Sequence, residues 1–86
     1  METKKEKAMK MVQFTMQDDT GVNPGQIRAI EVWHAYILGN EKWLFAVSDE
    51  GILTQDYFEV TYNKAKDEFY VDRYVKQSNH CFQNLD

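Results

Sequence analysis

Apolar and polar residues alternate along most of this chain, and the alternation predicts strands. From Met11 to Gln17, Val12, Phe14 and Met16 fall on one side and Gln13, Thr15 and Gln17 on the other, the period of a half-buried strand. Asp18 to Gly25 is dense in turn residues and predicts a loop of about eight residues. Ile30 to Asp49 holds both tryptophans and the longest apolar run, centred on Gly39-Asn40, a dipeptide suited to a two-residue hairpin turn. A turn there pairs Leu38 with Glu41, Tyr36 with Trp43, His34 with Phe45 and Val32 with Val47. One face then carries Val32, His34, Tyr36, Trp43, Phe45 and Val47; the other carries Trp33, Ala35, Ile37, Leu44 and Ala46. Both faces are apolar, which predicts a hairpin with something packed on each side.

Asp49-Glu50-Gly51 forms the next turn, Ile52 and Leu53 dip back to the core, and Thr54 to Asp56 is a polar break. Tyr57 to Tyr62 is a strand with Phe58, Val60 and Tyr62 on one face. After a short loop at Asn63 to Asp67, Glu68 to Lys76 returns. Here Phe69, Val71, Arg73 and Val75 share one face, and Tyr70, Asp72, Tyr74 and Lys76 the other.

One segment has a second reading. Asn23-Pro24-Gly25-Gln26 can start a helix, with Asn as cap, Pro in the first position and Gln closing a capping box. Gly39 would stop it. The same four residues also suit a type II turn, and the richness of 27–38 in Ile, Val, Trp and Tyr favours strand. The expected fold is therefore mainly β: a five-stranded antiparallel meander, as an open sheet or small barrel. The alternative is α+β, strand-helix-three strands, with helix 24–38 on one sheet face. The expected organisation is a flexible polar segment 1–10, one globular domain 11–76 and a polar tail 77–86, with Phe82 and Leu85 as anchors.

Composition narrows the function. With 43% hydrophobic and 14% aromatic residues in 86, the chain can build a core, which excludes wholesale disorder. Residues 1–10 hold four lysines and two glutamates, so the rest carries 6 Lys+Arg against 12 Asp+Glu. An acidic body argues against gripping a phosphate backbone. There is no apolar run long enough to span a membrane and no charged-then-apolar leader, so a cytoplasmic location is expected.

Chemical motifs are absent. Cys81 is the one cysteine, and with His34 and His80 it falls short of a zinc ligand set. His80 and Cys81 are adjacent, so an extended tail points them apart, and His34 reads as a structural residue among apolar neighbours. The carboxylate pairs Asp18-Asp19 and Asp49-Glu50 sit in expected turns, where they are solvated and do not match a calcium loop. The four glycines fall one per turn, with no phosphate-binding loop. No catalytic residue, cofactor site or metal site is expected, and the chain is not read as an enzyme.

What remains is recognition. Tyr57, Tyr70 and Tyr74 form an aromatic row beside Asp72, and Tyr combines apolar bulk with a polar tip, as interface anchors do. The expectation is a small acidic protein-interaction module of inhibitor or adaptor type. It would use Tyr57, Tyr70, Tyr74 and Asp72 together with the acidic loops at Asp18, Asp19, Asp49 and Glu50. Two alternatives are a self-associating structural domain, relieved of open edges by a homodimer, and a single-stranded nucleic-acid binder. Glu59 and Asp72 beside the tyrosines weigh against the last.

Overall fold

A computed structural model describes residues 1–83; Leu85 and the end of the expected tail lie outside the described residues. One helix, α1 (Lys4–Thr20), is followed by a short 3-10 turn (Pro24–Gln26) and four strands. These are β1 (Ile27–Ile37), β2 (Asn40–Asp49), β3 (Ile52–Asn63) and β4 (Glu68–Val75). They form one antiparallel open sheet in the order β1-β2-β3-β4. The mainly β meander is therefore present, with four strands instead of five and no barrel. The α+β alternative has the right layers, a helix on one face of a sheet, but the helix is 4–20 rather than 24–38.

The expected strand at Met11–Gln17 is helical, and the helix begins at Lys4, inside the segment read as a polar arm. Thr3 caps it: its hydroxyl accepts from the Glu6 backbone N–H at 3.1 Å, and the Glu6 carboxylate accepts from the Thr3 N–H at 3.3 Å. This reciprocal box satisfies backbone donors that a helix start otherwise leaves open. Gly21 ends it in the left-handed region at φ 76°, its N–H donating to the Gln17 carbonyl. Ala8, Val12 and Met16, spaced four apart, form the buried stripe. Phe14, two residues from both Val12 and Met16, turns away and stays 57% exposed.

Pro24–Gln26 makes a single turn, with the Asn23 side chain accepting from the Gly25 N–H at 2.9 Å. The chain then extends, because Ile27 to Ile37 pairs with β2 at every residue but Val32. The hairpin bends at Leu38-Gly39, one residue earlier than expected. Both residues have positive φ, 51° and 80°, as a type I′ turn requires. Ile37 therefore faces Asn40, Tyr36 faces Glu41 and His34 faces Trp43. The pairing shifts by two residues, so the faces keep their members while the partners change. A register shift between Glu31 and Trp33 leaves Val32 outside the pairing, which removes it from its expected place opposite Val47. The expected break at Thr54–Asp56 lies within β3, where the pairing with β2 shifts and the Thr54 hydroxyl donates to the Val47 carbonyl at 2.9 Å.

The core lies between α1 and one sheet face. Ala8, Val12 and Met16 meet Ile27, Ala29, Trp43, Phe45, Val47, Phe58, Val60 and Tyr62. Three polar ties hold the helix there. Gln13 donates to the Ile27 carbonyl at 2.8 Å, Lys5 pairs with Glu31 at 3.5 Å, and Asp19 pairs with Arg73. Nothing among the described residues covers the other sheet face, which corrects the expectation of packing on both sides.

Candidate functional site

Strand alternation and the pairing register lay out the uncovered face row by row. Ile30, Ala46, Tyr57 and Tyr74 stand side by side across all four strands. The next row is Trp33, Leu44, Glu59 and Asp72, and the next is Ala35, Lys42, Thr61 and Tyr70. Leu53, opposite Ser48, extends the apolar area at one end, and Ile37 at the other. Ile30, Trp33, Ile37, Leu53, Tyr57, Tyr70 and Tyr74 all keep 40% or more of their surface in water. An apolar area of this kind is uncommon on the free surface of a small protein.

Polar groups on the face are few and partly satisfied. Lys42 donates to Glu59 at 3.0 Å, and Tyr70 donates through its hydroxyl to Glu68 at the rim, at 2.5 Å. That bond to a carboxylate, with partial desolvation, raises the Tyr70 pKa above the usual phenol value. Arg28, Asp72 and Glu68 complete the charged members within the strands, where two cations stand against three carboxylates on a chain of net charge −4.

Tyr57, Tyr70, Tyr74 and Asp72 thus share one surface. The acidic loops do not join it. Asp18 and Asp19 lie in the last turn of α1, on the covered side. Asp19 is taken up by Arg73 at 3.2 Å, and Arg73 also grips Asp56 through Nε at 2.9 Å and Nη2 at 2.8 Å. Those carboxylates raise the Arg73 pKa, with the Asp56 hydrogen bond contributing most. Asp49 and Glu50 lie at the β2–β3 turn, where Glu50 accepts from the Gln26 side chain. Trp33, Ile30 and Leu44 belong to the surface and were not nominated from sequence. The alternation that placed Trp33 and Leu44 together was the available signal.

A second concavity of about 400 Å³ opens on the helix side, lined by Lys4, Tyr36, Gly39, Glu41, Tyr62 and Lys64. His34 lies beside it, stacked on Trp43 with centroids 5.5 Å apart and bonded through Nε2 to Glu41 at 2.6 Å. Lys4 Nζ sits 4.5 Å from the Tyr62 ring centroid, a cation–π contact, and Tyr62 donates to Asp67 at 2.6 Å. His80 and Cys81 are exposed beyond the last strand. Among the described residues no three His, Cys, Asp or Glu side chains converge as a metal site would need. None of the helix among them is long and apolar enough to cross a membrane.

A comparison with protein-family models places residues 1–84 in one of them, described as a family of unknown function, DUF6275. The chain belongs to DUF6275. Neither a curated relative nor a solved structure matches this DUF6275 chain. The family match covers α1 and all four strands, so the helix and the uncovered sheet both lie within the matched region.

Proposed function

We propose that this DUF6275 chain acts by binding a protein, as a small interaction module of inhibitor or adaptor type, and that the uncovered sheet face is its working surface. The observation that carries the reading is the continuous row Ile30, Ala46, Tyr57 and Tyr74, flanked by Trp33, Leu44 and Leu53, with no element among the described residues over it. Trp and Tyr recur at the energetic centres of interfaces because each buries a large rigid ring and keeps one polar atom for a hydrogen bond. Here they stand on paired strands, which hold them in place before binding and lower the cost of ordering them.

The face, with Glu59, Glu68 and Asp72 among the aromatics, favours a protein surface over a phosphate backbone. The acidic loops are left out of the working surface, since Asp19 and Glu50 already have partners within the chain. The test is quantitative capture from the source cells by wild-type protein, Tyr57→Asp/Tyr74→Asp and Asp18→Asn. A protein held by wild type and Asp18→Asn, and lost with the tyrosine variant, is the expected result. Equal retention by all three would remove the face from the function.

A further inference from the structure

We propose that the occupant of the open face is a second copy of this chain, packed sheet to sheet in a two-fold dimer. This rests on the reading above that the face binds protein, and makes the chain itself that protein in place of an inhibitor's or adaptor's target. Area is the first argument. Four strands spaced about 4.8 Å apart and roughly 30 Å long present a footprint of about 600 Å² per copy, or about 1,200 Å² for two, enough for a specific interface. Charge is the second. The chain is acidic, so two copies repel over most of their surface. The open face carries little of that charge: within its strands Arg28 and Lys42 stand against Glu59, Glu68 and Asp72.

Self-complementarity is the third argument. A two-fold axis along the strands and centred between β2 and β3 sets β1 of one copy over β4 of the other and keeps each row at its own level. Ile30 of each copy then meets Tyr74 of the other and Ala46 meets Tyr57, while in the next row Trp33 meets Asp72 and Leu44 meets Glu59. The small Ala46 side chain lies opposite a ring, and the aliphatic end of the row lies opposite the aromatic end. Lys42 comes within one row of the second copy's Glu59. An isologous contact requires this exchange of unlike partners, i against j and j against i. The result is a four-layer particle with a helix on each outside and two sheets, about 10 Å apart, within.

The full chain is tested by sedimentation equilibrium over a concentration series, with acrylamide quenching of tryptophan fluorescence in parallel. Trp43 is 1% exposed and is shielded in any folded state, so quenching reports Trp33. The expected result is a mass twice the 10.2 kDa chain, with Trp33 shielded at the concentrations that populate the dimer. Trp33→Asp and, separately, Tyr74→Asp each weaken dimerisation by at least about thirtyfold, as loss of an interface anchor does. Both side chains are half-exposed, so far-UV circular dichroism of the variants stays at wild type. A monomer with quenchable Trp33 overturns the second copy and leaves the binding reading to the capture experiment. A dimer indifferent to both substitutions places association elsewhere and overturns it too. A monomer with shielded Trp33 puts a segment of the chain itself on the face, with the same consequence.

Discussion

Val12→Ala and Phe14→Ala, made side by side, test whether the N-terminal third is a helix docked by one stripe. Val12 is fully buried against the sheet, while Phe14 is 57% exposed. Cutting Val12 to Ala removes two methyl groups from the core, about 1.6 kcal/mol at roughly 0.8 kcal/mol per group. The cavity left behind adds up to about 1 kcal/mol. Alanine's better helix propensity returns about 0.5 kcal/mol. The net loss is about 2 kcal/mol, or a fall in Tm of roughly 8–16 °C for a domain of this size. Phe14→Ala loses only a partial burial and gains the same propensity, so its net change stays within about 0.5 kcal/mol. Thermal melts by circular dichroism at one fixed protein concentration measure both, because an associating protein melts at a concentration-dependent temperature. If residues 11–17 were a strand, Val12 and Phe14 would share a face and their losses would be comparable. Equal losses would therefore refute the docked helix.

Two further outcomes follow from the turn and the tyrosines. Leu38 is 98% exposed and holds φ 51°, a conformation costly for a branched side chain and tolerated by Asn. Leu38→Asn is expected to stabilise the fold by about 0.5–1 kcal/mol and raise Tm by a few degrees; a lower Tm would count against the type I′ assignment. Tyr36, Tyr62 and Tyr70 each have a pKa raised by a carboxylate: the Glu41 charge for Tyr36, and hydrogen bonds to Asp67 for Tyr62 and to Glu68 for Tyr70. Folding thus favours the protonated phenol. That stability is present in full below the unfolded pKa of about 10 and is lost as pH rises through the raised folded values. Tyr62→Phe should make the alkaline fall in stability shallower, and an unchanged fall in urea titrations across that range would contradict the assignment.

How much of this was legible before the coordinates depends on which period each segment obeys. β4 could be read directly, since Phe69, Val71, Arg73 and Val75 alternate with Tyr70, Asp72 and Tyr74, and the pairing with β3 keeps that division. The helix could not be read from the same rule. Val12 and Met16 are four apart, so they satisfy period 2 and period 3.6 together, and Phe14 supplies the false third member. The discriminating signals were Ala8, which extends the stripe to i−4, and Thr3 with Glu6, which form a capping box. The hairpin bend was misplaced because Asn beside Gly marks a turn. Asn40 instead begins β2, paired with Ile37 on one side and Asn63 on the other, and Leu38 takes the strained position. Arg73 was placed on the correct face, but its ties to Asp19 and Asp56 join residues distant in sequence, and no local pattern encodes them.

The same limit explains why the working surface was only partly found. The apolar character of Trp33, Ile37, Leu44 and Ala46 was visible, and it led to the expectation of a second covering layer. A helix of 17 residues is about 26 Å long, which matches one face of a sheet with strands of about 30 Å, and no other described helix or strand lies over the second face. After Val75, residues 76–83 form no helix or strand, and Phe82 is exposed. In the proposed assembly α1 covers one apolar face of β1 and β2, and a second copy of the chain meets the other. Trp33 is the residue at which that argument is decided. On a free monomer its indole stays open to a quencher, and in the assembly proposed for this chain it does not.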